Sequence, residues 1–159
     1  MDRRSLTRRS LLALFFAVAV ALALHVSAGV PPRHLTVLYT NDTHAQLDPI
    51  EATWLPGKPR VGGMEALSGL IARLRDGRDD VLLVDGGDLL TGPAVSTLTR
   101  GDGPFDLFDA MGYDAMAIGN HEFDNSVPRL EELIWSTSVP VLAANVYWRG
   151  TDHRFARPA

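Results

Sequence analysis

Asp42 and His44 stand two residues apart in "YTNDTHAQLDP", Asp88 ends "VDGGD", and Asn120, His121 and Asp124 crowd into "AIGNHEFDN". Any one of them alone reads as a turn, since Asn, Asp and Gly favour tightly bent and left-handed backbone. Together they offer carboxylate, amide oxygen and imidazole. The chain has no cysteine, so thiolate ligands, disulfides and a cysteine nucleophile are excluded. An oxygen and nitrogen donor set suits Zn, Mn, Fe or Mg rather than copper(I) or an iron–sulfur cluster. A pair of such ions is the usual engine of phosphate ester hydrolysis, and a carboxylate between them offsets their mutual repulsion. Asp88 is the candidate for that bridge.

These residues must be brought together by the elements that precede them. "HLTVLYT" from His34 to Thr40 is a β-branched, apolar strand, and an extended backbone beyond it would aim Asp42 and His44 to one side. The following segment, with Pro49, Pro56, Gly57 and Pro59, predicts a loop without regular structure. Leu67, Leu70, Ile71 and Leu74 recur at helical spacing and predict a helix over about 63–75. "VLLVD" at Val81–Asp85 is a continuous apolar run, the pattern of a strand buried on both faces.

Pro104 opens a helix through Phe105, Leu107, Phe108 and Met111, with Gly112 as its stop. "DAMAIG" gives a third strand, Pro128 opens a helix carrying Leu130, Leu133 and Ile134, and "VPVLAANV" gives a fourth strand. Alternating strands and helices indicate an α/β fold with a parallel sheet. In such sheets ligands collect beyond the carboxyl ends of the strands, where Asp42, His44, Asp88 and Asn120 all fall. Trp135 and Trp148 read as packing residues. Asp85 is expected to hydrogen-bond behind the ligands, and Glu122 to cap a nearby turn or helix.

Residues 1–28 belong to a different reckoning. Arg3, Arg4, Arg8 and Arg9 precede "LLALFFAVAVALAL", 14 uncharged residues, followed by the small residues of Val26-Ser27-Ala28. This is the pattern of a cleaved signal peptide, and the apolar run is shorter than the roughly 20 residues of a stable membrane span. "TRRSLL" also matches a twin-arginine export signal. Residues 29–33 form a short linker. The expected location is therefore the periplasm or the extracellular medium. Without residues 1–28 the chain carries 11 basic and 18 acidic side chains, a balance that argues against a nucleic acid duplex or an anionic membrane as partner.

"YTNDTHAQLDP", "VGGMEAL", "LLVDGGDLLTGP", "AIGNHEFDN" and "AANVY" resemble, in order and spacing, the amino-terminal part of secreted bacterial 5'-nucleotidases, within the calcineurin-like metallophosphoesterases. The resemblance covers about residues 35–147. It implies a layered α-β-β-α sandwich of which residues 34–159 are only the amino-terminal half, truncated within the catalytic domain. It implies two divalent metal ions, Zn, Mn or similar. Asp42 and His44 would bind the first, Asp88 would bridge both, and Asn120 would bind the second. By the same resemblance His121 is a catalytic group facing the substrate phosphate rather than a ligand, and Asp124 orients it.

The resemblance further implies a nucleotide or other small phosphoester as substrate, attacked by metal-activated water. Later motifs of the family supply more histidine ligands and a base-binding domain, so the missing carboxy-terminal part of the parent protein is an expected partner. The alternatives are a 2',3'-cyclic nucleotide phosphodiesterase, a SoxB-like thiosulfohydrolase, and a catalytically inactive exported fragment.

Overall fold

The computed structural model describes residues 34–155. The proposed signal peptide and linker, residues 1–33, lie outside the described residues. Four parallel strands form the main sheet in the order β1 (Thr36–Thr40), β4 (Val81–Asp85), β5 (Ala115–Ala117), β6 (Val141–Leu142). Parallel pairing sets Thr40 beside Asp85 and Asp85 beside Met116, so the ends of three strands lie level. Between them run α1 (Met64–Arg75), α2 (Ala94–Leu98), α3 (Asp102–Met111) and α4 (Val127–Ser136).

Each crossover steps one strand in the same direction. With right-handed connections, that places the helices on a single face. The core confirms it: Leu83, Met116 and Val141 of the sheet pack with Ile71 of α1, Phe105 and Phe108 of α3, and Leu130 and Leu133 of α4. Gly112 closes α3 in the left-handed conformation, where its lack of a Cβ removes the steric penalty. Asp109 of α3 accepts hydrogen bonds from Thr137, Ser138 and Val139, tying the end of α4 to the start of the last strand.

Several expectations are corrected. β4 is not buried on both faces. Leu83 and Asp85 point into the helical layer, whereas Leu82 on the opposite face is partly exposed beside Val37 and Tyr39, which are 52% and 63% exposed. No described element covers that face. The described residues thus supply one helical layer and one main sheet of the expected sandwich.

The proline-rich loop also contains a short antiparallel pair, β2 (Ile50–Glu51) with β3 (Arg60–Val61). The Arg60 guanidinium donates to the Pro49 carbonyl, and Ala52 N–H to that of Pro59, so the prolines flank the ladder and accept from it without having to donate. α3 begins at Asp102, two residues before Pro104, behind a left-handed Gly101. Trp135 is 79% exposed and does not pack in the core, while Trp148 rests on Phe155 with ring centroids 5.3 Å apart.

Candidate metal centre

Two backbone hydrogen bonds extend the β1–β4 pairing past the strand ends. Asp42 N–H donates to the Gly87 carbonyl and His44 N–H to that of Asp88, each at 3.0 Å. These bonds hold the two loops side by side. Asp42, His44 and Asp88 nevertheless adopt positive φ values of 51°, 45° and 58°. The expectation that extended backbone aims Asp42 and His44 to one side is therefore corrected, because left-handed turns bring them together. Non-glycine residues in that region carry a conformational cost of order 1 kcal/mol or more, which the surrounding structure must outweigh.

His44 has a defined tautomer. Its Nδ1 lies 3.0 Å from the carbonyls of both Leu90 and Thr91, and carbonyls only accept, so Nδ1 carries the proton. Nε2 is left with its lone pair directed elsewhere, 4.0 Å from Asp42 Oδ1. A histidine ligand whose other nitrogen donates to backbone carbonyl is the usual arrangement at metal sites. The Asn41 amide in turn donates to Asp42 Oδ2.

Glu122 organises the second loop. It is fully buried, and its Oε1 accepts from the N–H groups of Leu89 and Leu90, its Oε2 from those of Asp88 and Gly119. One carboxylate thus fills its acceptor positions with four backbone donors from two strand ends. Sequence reasoning gave Glu122 only a local capping task. Its burial and its reach across to β4 depend on the fold, although a Glu beside the Asn-His pair was the available signal.

Asp88 Oδ1 accepts from His121 N–H at 3.0 Å. Gly119 makes this approach possible, since a Cβ there would lie 2.2 Å from Asp88 Oδ1 and 2.6 Å from its backbone nitrogen. Behind the loop, Asp85 accepts from the Thr40 hydroxyl at 2.6 Å and from Gly87 N–H at 2.8 Å, the supporting position expected of it.

His121 and Asp124 begin and follow a 3-10 turn, His121–Phe123, that sequence periodicity does not reveal. Their side chains pair as expected. His121 Nδ1 donates to Asp124 Oδ2 at 2.7 Å, and that bond raises the imidazole pKa above its ordinary value; desolvation opposes the rise, and the charges of Asp124, Asp88 and Glu122 add to it. The His44 and His121 rings meet edge to face, with centroids 5.1 Å apart.

Ligand-type atoms of His44, Asp88 and His121 all lie within 4.8 Å of one another, a spacing that fits a divalent cation. Asp42 adjoins this group through His44. Asn120 is exposed immediately after β5, between Gly119 and the 3-10 turn. The structure thus brings His44, Asp88 and His121 into one cluster with Asp42 beside His44, whereas Asn120 is placed only by its position after β5.

Residues 35–152 match the calcineurin-like phosphoesterase family, and the chain belongs to it. Members of that family use divalent metals, in keeping with the cluster. The chain is 36% identical over 151 residues to the snake venom 5'-nucleotidase of Gloydius brevicauda, covering 93% of this chain and 25% of that protein. Among solved structures, a 5'-nucleotidase precursor from Thermus thermophilus superposes with a TM-score of 0.67 at 36% identity, over 71% of this chain and 22% of that one. The sulfate thiohydrolase SoxB from the same species gives a TM-score of 0.67 at 24% identity, over 82% of this chain and 33% of that one, a likeness of fold alone. The chain spans about a quarter of the length of the curated relatives it matches.

Proposed function

We propose that this chain supplies the amino-terminal part of a metal-dependent phosphoester hydrolase of the 5'-nucleotidase type, which releases phosphate from a nucleotide by attack of water. The observation that carries the reading is the convergence of Asp42, His44, Asp88 and His121 at adjacent strand ends, in a chain whose relatives bear that name. Asp42 and His44 would hold one divalent ion, Asp88 would bridge to a second, and Asn120 would bind that second ion. Zn or Mn fits these donors. Four donors fall short of complete inner shells for two ions, so further ligands would come from the rest of the catalytic domain.

When bound, such ions lower the pKa of water and offset charge on the phosphoryl oxygens. The chain's own residues do the remaining work. His44 presents Nε2 because its Nδ1 is bound to carbonyl oxygen. Asp88 is fixed by Glu122 from behind and by His121 N–H from the side. His121, with Nδ1 on Asp124, offers Nε2–H to a phosphoryl or leaving-group oxygen and stabilises charge developing there. Export follows from the basic and apolar pattern of residues 1–28, and no described helix is long and apolar enough to cross a membrane.

The test is complementation. The chain is combined with the carboxy-terminal remainder of the Thermus 5'-nucleotidase, supplied with Mn or Zn, and assayed on AMP and on a generic aryl phosphate. Phosphate release should appear in the complex and fall by at least about 10³-fold in Asp88→Ala. Release that survives Asp88→Ala with metal still bound would refute the assignment.

A further inference from the structure

Thr91 has an unusual backbone for its side chain. It is β-branched, yet its φ is 62°, in the left-handed region that such residues rarely occupy. The conformation is fixed from behind, where Thr91 N–H donates to the hydroxyl of buried Ser96 at 3.1 Å. In front, two contacts leave the same residue. Its carbonyl accepts from His44 Nδ1 at 3.0 Å, and its hydroxyl donates to Asp124 Oδ2 at 2.5 Å. That carboxylate oxygen is the one that receives His121 Nδ1.

We infer that Thr91 is a positioning residue that sets the orientation of both site imidazoles, His44 through its main chain and the Asp124–His121 pair through its hydroxyl. This rests on the reading of His121 and Asp124 given above. The geometry explains why a threonine stands where glycine would be less strained. Asp124 is an exposed side chain, 46% accessible, and nothing else described donates to its Oδ2 besides His121 itself. An exposed aspartate held by one partner is free to rotate. A second donor on the same oxygen fixes its rotamer, and with it the direction in which His121 Nε2 faces the cluster. The backbone role needs no particular side chain, whereas the hydroxyl role does. The two can therefore be separated by mutation.

The metal-free full chain, labelled with ¹⁵N in its histidine rings, allows the Nδ1–H of His44 and His121 to be followed individually by NMR. Thr91→Val keeps the shape and Thr91→Ala removes the branch, so one hydroxyl-free variant remains informative if the other fails to fold. Both should speed exchange of the His121 Nδ1–H by about tenfold, the equivalent of one lost hydrogen bond. The His44 Nδ1–H should stay within about twofold, and Thr91→Ser should behave as wild type. Unchanged protection of His121 in the hydroxyl-free variants would overturn the proposal, as would joint loss of protection at His44 and His121.

In the complemented enzyme the hydroxyl-free variants should lower kcat about tenfold at constant KM, with serine restoring it. An unchanged kcat would also overturn the role. A wild type without phosphate release, but with the His121 exchange difference intact, would count against the hydrolase reading and support the placement of Thr91.

Discussion

Asp85 keeps a proton to higher pH than an ordinary carboxyl group does. Burial pushes it up to about 6, the nearby charges of Glu122 and Asp42 add to this, and the hydrogen bonds from Thr40 and Gly87 oppose it only in part. The folded state therefore binds this proton more tightly than the unfolded chain, whose carboxyl titrates near 3.8. The stability it contributes is complete below about pH 4 and lost as pH rises to about 6. In metal-free protein, the stability difference between wild type and Asp85→Asn should change by about 1–3 kcal/mol across that window, in the sense of wild type weakening as pH rises. Urea unfolding at a series of pH values measures it. A difference independent of pH would mean that Asp85 titrates normally.

The strand ends and loops show how much of the molecule was legible in the sequence. α4 starts at Val127, beside the Pro128 expected to open it, and β1, β4 and α1 follow from apolar patterning and fall within two residues of the expected bounds. The five-residue helix α2 and the 3-10 turn at His121 do not, because neither is long enough to display a period. Residue types at strand ends revealed which side chains gather. They could not reveal the left-handed turns of Asp42, His44 and Asp88, which depend on pairing between loops 46 residues apart or thereabouts in the chain. Glu122 is the clearest case, since its task across two strand ends becomes visible only when those ends are adjacent.

Glu122→Gln should test that task. The amide would present two donors toward backbone N–H groups that need an acceptor, and the loss should be about 2–4 kcal/mol of stability. Metal affinity should fall as well, because Asp88 is held by that carboxylate. Normal stability and affinity would show that the four hydrogen bonds are dispensable.

Among the described residues, one face of the main sheet is uncovered and both edge strands, β1 and β6, have a single partner each. Leu35, Val37, Tyr39 and Leu82 are exposed, and β1 pairs with β4 alone among the described strands. Exposed apolar sheet beside an unpaired edge favours association, in spite of a net negative charge. Light scattering should show mass increasing with concentration, and Val37→Lys should reduce the effect. A monodisperse monomer at every concentration would contradict this.

In the proposed centre, three strand ends assemble a divalent-metal site in which His121 stands beside the ligands without being one. Calorimetric titration of the chain with Mn²⁺ tests this most directly. His44→Ala and Asp88→Ala should each weaken binding at least about tenfold, while His121→Ala should leave it nearly unchanged. Binding indifferent to Asp88→Ala, or lost as completely in His121→Ala as in Asp88→Ala, would contradict the account.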